Sequence, residues 1–69
     1  MFIVIEFMID KNGNPGSFTY TFATENEAKA KFYTVMAAAA TSDTRSHGAT
    51  LLNEALMQMM RDCIFKAAE

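Results

Sequence analysis

His47 and Cys63 are the side chains of this chain best suited to covalent chemistry, an imidazole base and a thiol nucleophile, and each is the sole residue of its type. A Cys–His pair needs the two within hydrogen-bond reach, and their separation in sequence leaves that open. Ser42, Thr44 and Ser46 place hydroxyls around His47, but no second histidine and no glycine-flanked serine elbow accompanies them. A lone cysteine is most simply a small buried hydrophobe. No catalytic residue is therefore assigned: the chain reads as not an enzyme, with nucleophilic catalysis by Cys63 and His47 as an alternative. One cysteine forms no internal disulfide and leaves too few ligands for a structural zinc site. Asp10, Asn12 and Asn14 resemble the opening of a calcium loop, yet Pro15 stands where its glycine belongs and Thr21 where its closing glutamate belongs. No metal and no cofactor is expected.

Lys29, Lys31 and Arg45 are the candidates for contacts to phosphate. A net charge of −2 and the scatter of the six Lys and Arg residues argue against nucleic acid as partner, because that affinity grows with the number of cations brought to the backbone. The bland alternative is a solvated helix face. A nucleic-acid-binding accessory module stays open as a second reading, since the aromatic run Phe18, Tyr20, Phe22 could stack bases.

The elements that must position these residues fit one domain over residues 1–69. A chain of 69 residues buries only about 60% of its unfolded surface, so self-association is a natural way to add buried area. Half the residues (51%) are apolar and 20% are charged, which sharpens that expectation. The apolar run from Phe2 to Phe7 is interrupted by Glu6, has no basic residue ahead of it and is far short of the roughly 20 residues that span a bilayer. Neither a signal peptide nor a membrane anchor is expected, and with a single cysteine a cytoplasmic location fits.

The best-defined element is a helix over Thr24–Ala40. Thr24 caps it and Glu27 can reach back to the Thr24 amide, while Ala28, Phe32, Val35, Met36 and Ala39 recur at helical spacing on one side. Residues 2–9 read as a first strand, with Ile3, Ile5, Phe7 and Ile9 on one face and Phe2, Val4, Glu6 and Met8 on the other. The run DKNGNPG reverses the chain, through Asn12-Gly13 and a type II turn at Pro15-Gly16. Residues 17–23 alternate as a second strand whose Phe18, Tyr20 and Phe22 most simply join the odd face of the first strand beneath the helix. Thr41–Gly48 is polar and reads as a connection. The last third divides: Leu52, Leu56, Met59 and Cys63 fall at helical spacing, giving ββαα, whereas a break at 53–56 gives a hairpin of Ala49–Leu52 and Met57–Phe65.

The start MFIVIEF, the segments Asn26–Lys29 and Tyr33–Ala40, and Cys63 preceded by an acidic residue together resemble small uncharacterised proteins of gut Firmicutes and their phage-like or mobile elements. The resemblance covers most of the chain and implies a ββαββ fold, with no activity and no catalytic residues. This chain departs from the pattern in having no glycine in the last turn. The expected fold is α+β: a four-stranded antiparallel sheet in the order 2-1-3-4, with one helix, about residues 25–40, on one face. The other face would carry Phe2, Val4 and Met8, joined by those of Met57, Met59 and Met60 that point that way. An exposed apolar sheet face usually means a partner. These six residues are the candidate interface of an interaction or structural accessory protein, a homodimer through its sheet.

Overall fold

The computed structural model describes residues 1–66. Its elements are β1 (Phe2–Ile9), β2 (Pro15–Phe22), α1 (Glu25–Thr41), β3 (Ser46–Leu52) and β4 (Gln58–Phe65). The four strands form one antiparallel sheet in the order β2-β1-β3-β4, which is the expected ββαββ layout. The helix that propensity favours for the last third does not form, because pairing with β1 and β4 claims the segment despite its Leu, Met and Ala content.

Both hairpins close on the same turn. Asp10 Oδ1 accepts from the Asn12 and Asn14 amides, each at 2.9 Å, and Asn53 Oδ1 accepts from the Ala55 and Met57 amides at 2.9 and 3.0 Å. The backbone bonds match too: Gly13 N–H to the Asp10 carbonyl and Asp10 N–H to that of Asn14, against Leu56 N–H to Asn53 and Asn53 N–H to Met57. Gly13 at φ +89° and Leu56 at φ +63° hold the left-handed position that completes a three-residue loop. Pro15 and Gly16 do not form the expected type II turn; they open β2, where a proline is tolerated because its missing N–H faces the free edge.

Helix α1 starts as its cap dictates. Thr24 Oγ1 accepts from the Glu27 amide at 3.2 Å, and the Thr24 hydroxyl donates to Glu27 Oε1 at 3.0 Å, so the Glu27 carboxylate meets the Thr24 hydroxyl and not the Thr24 backbone N–H. Ala28, Phe32, Val35 and Ala39 are buried, and Met36 packs against the same core.

The core fixes which sheet face the helix covers. Val4, wholly buried, sits with Ala28, Phe32, Val35, Ala49 and Leu51, and Phe2, Tyr20, Phe22 and Met60 pack around them. Registry pairs Val4 with both Tyr20 and Leu51, and Met8 with His47, so the even residues of β1 lie beneath α1. This corrects the expectation for Phe2, Val4, Met8 and Met60, which belong to the helix-covered side. Met57, in the turn, and Met59 are exposed; Met59 is the extra residue of a bulge, between Met60 opposite Leu51 and Gln58 opposite Leu52. The open face carries Ile3, Ile5, Phe7 and Ile9. Gly48 pairs with Phe7 on that face, and a Cβ there would stand 2.8 Å from Cys63 Cα and strike the Asp62 carbonyl, so β3 and β4 approach only over glycine.

Candidate functional site

Two features stand out, one on each side of the sheet. Beneath α1, Glu6 breaks an otherwise apolar row, and its two carboxylate oxygens are both used. Its Oε2 lies 2.7 Å from His47 Nε2, and its Oε1 accepts from the Tyr20 hydroxyl at 3.1 Å. Neighbouring strands on the same face supply the three side chains: β1 for Glu6, β2 for Tyr20 and β3 for His47. His47 is 6% exposed and is the one buried polar residue of the described core. With Nε2 given to the carboxylate, Nδ1 is left buried and without a partner among the described residues. Burial raises the Tyr20 phenol above its usual 10.0, and the hydrogen bond to Glu6 and the negative charge there push it the same way. Lys31 Nζ stands 4.1 Å over the Tyr20 ring.

A carboxylate holding an imidazole is the orienting half of a nucleophilic triad. Among the described residues neither Cys63 nor a serine hydroxyl stands beside the imidazole as the other half. Registry places Cys63 opposite Gly48 and His47 opposite Ile64, so the thiol and the imidazole project from opposite faces of the sheet. The Ser42 hydroxyl is spent on the Thr44 hydroxyl at 2.9 Å, and Ser46, opposite Ile9, faces the open side. The arrangement positions strands: one carboxylate ties β1 to both of its neighbours under the helix. Among the described residues no three His, Cys, Asp or Glu side chains gather to hold a metal.

The three basic residues singled out from the sequence do not converge on one patch. Lys29 pairs with Glu25 at 2.7 Å, and that hydrogen bond first, then the carboxylate's charge, raises the ammonium above 10.5. Lys31 lies over Tyr20, and Arg45 donates to the Lys11 carbonyl at 3.4 Å, near the Lys11–Asp43 ion pair across the two loops.

On the open side of the sheet, Ile3, Ile5 and Phe7 run down the central strand, half-buried, with Leu52 beside them and Ile9 (37% exposed) at one end. Phe65 on β4 shares that face and is largely exposed. At the paired positions of this face Arg61 is the sole charge, and its guanidinium lies 5.1 Å from the centre of the Phe7 ring. The uncovered face of β1 is that of Ile3, Ile5 and Phe7, and not the expected face of Phe2, Val4 and Met8, which α1 covers. Glu6 carried the missing signal: a carboxylate amid apolar residues needs a buried partner, and the chain has one histidine to offer.

Comparison with protein families, curated proteins and solved structures returns no match. Among the described residues no helix is long and apolar enough to cross a membrane.

Proposed function

We propose that the chain is an interaction module that self-associates, the open face of its sheet packing on the same face of a second copy. One observation carries this reading: Ile3, Ile5 and Phe7, on a central strand, have no element of the described chain over them, because α1 covers the even residues. A central strand apolar on both sides is the pattern of a sheet covered twice. Four strands about 4.8 Å apart and seven or eight residues long at about 3.3 Å each present a face of roughly 500 Å² in projection. Two such faces, with side-chain relief added, clear the roughly 1,000 Å² that a specific interface needs. No acidic residue occupies the paired positions of this face, so the copies meet without buried carboxylates.

The same burial answers the shortage of core in a chain of 69 residues. The resemblance to proteins of phage-like or mobile elements supports an accessory role in the cytoplasm, where the unpaired Cys63 stays reduced. Light scattering over a concentration series tests the association: masses that are multiples of 7.7 kDa support it, and a 7.7 kDa species throughout refutes it.

A further inference from the structure

The two edges of the sheet are not alike. On β4 the free edge is blunted: Met59 bulges, and the outward amide of Cys63 is taken by the Asp62 carboxylate at 2.8 Å. Arg61 and Asp62 add charge there. On β2 no bulge, capped amide or charge appears, and Pro15 blunts only its first position. Its pairing with β1 runs from Phe2↔Phe22 to Ile9↔Pro15 without a shift, and PGSFTYTF contains no charged residue. The bond from Asp10 N–H to the Asn14 carbonyl sets the parity of that ladder, so Gly16, Phe18, Tyr20 and Phe22 face β1 and Ser17, Thr19 and Thr21 direct their N–H and C=O groups outward. No side chain of the described residues caps those three amides.

From this we infer that β2 pairs antiparallel with β2 of a second copy, about a two-fold axis through Thr19. The outward groups then meet in self-complementary fashion, Thr19 with its own counterpart and Ser17 with Thr21. On the helix-covered face the same register sets Phe18 against Tyr20 of the second copy. Phe18 is 55% exposed because α1 lies chiefly over β3 and reaches β2 least. Cross-strand aromatic pairing covers what the helix leaves bare. This edge contact is independent of the face contact proposed above; the two together give a tetramer of two-fold symmetries.

Amide hydrogen exchange on the intact chain tests the pairing. Ser17, Thr19 and Thr21 are expected to exchange at least about tenfold more slowly than the outward amides of Arg61 and Phe65 on the other edge. If they exchange as fast as those, the pairing is wrong. Mass measurements on Thr19→Pro and Ile5→Lys separate the two contacts. Thr19→Pro deletes an N–H that bonds nothing among the described residues and is expected to halve the wild-type mass. An unchanged mass overturns the edge contact while leaving the face contact in place. A mass that falls with Thr19→Pro and is unmoved by Ile5→Lys supports the edge contact and removes the face contact. Should Thr19→Pro fail to fold, the wild-type exchange rates decide.

Discussion

At φ +63°, Leu56 occupies the position that Gly13 takes at φ +89° in the other hairpin, and a side chain there is strained by about 1–2 kcal/mol. Its side chain is 67% exposed and contributes little packing in return. Leu56→Gly is therefore expected to stabilise the fold by about 1 kcal/mol, after the flexibility that glycine adds to the unfolded chain; chemical denaturation reads it, and a loss of stability would show that the two turns are not equivalent. Asp10 organises the first turn with a charge where Asn53 organises the second without one. Its carboxyl is held below the usual 3.8, first by the Asn14 amide and further by the Asn12 amide, the Asn14 side chain and the Gly13 amide, with burial opposing. A lowered folded-state value gives stability that is present above 3.8 and disappears as pH falls through the folded value. Asp10→Asn keeps the acceptor and removes the titration, so the gap between wild type and variant is expected to hold at neutral pH and to narrow as pH falls from the usual 3.8 through the lower folded value. A gap that stays constant over that range would contradict the role given to the charge.

Among the elements, α1 was the most legible, because everything that defines it is local: the Thr24 cap, the carboxylates of Glu25 and Glu27, and the spacing of Ala28, Phe32, Val35 and Ala39. Strand order was legible from direction: the helix crosses back along the sheet, so β3 runs parallel to β2 and antiparallel to β1, which can sit between them. The face of β1 was not, and one residue is the reason. A two-residue Asn12-Gly13 turn would pair odd residues of β1 with the even aromatic residues of β2; the three-residue loop pairs even with even. A slip of one exchanges every side chain of a strand between core and solvent, so Val4 went inside and Ile5 outside. Glu6 then joined the core side, where it binds His47 and Tyr20 across three strands. Glu6→Ala leaves a buried imidazole with no partner on either nitrogen and is expected to cost about 2 kcal/mol of folding stability. A neutral result would mean that water or a shifted side chain replaces the carboxylate.

For the whole molecule, the described chain is a two-layer structure in which one helix covers one side of a four-stranded sheet. The layer beneath α1 is complete: a wholly buried Val4 and Leu51, aromatic flanks from β2, and a polar triad that fixes the alignment of β1 with both neighbours. The opposite layer holds Ile3, Ile5, Phe7 and Leu52, with Arg61 the sole charge at its paired positions, and its extent matches what a second sheet would cover. Burying a lysine in the middle of such a contact leaves an unpaired charge, whereas in a lone subunit the same side chain reaches water. Sedimentation equilibrium of wild type beside Ile5→Lys separates these cases. We predict a wild-type mass that is a multiple of 7.7 kDa and a lower mass for the folded variant at equal concentration. Equal masses for the two folded proteins would contradict association through the open face.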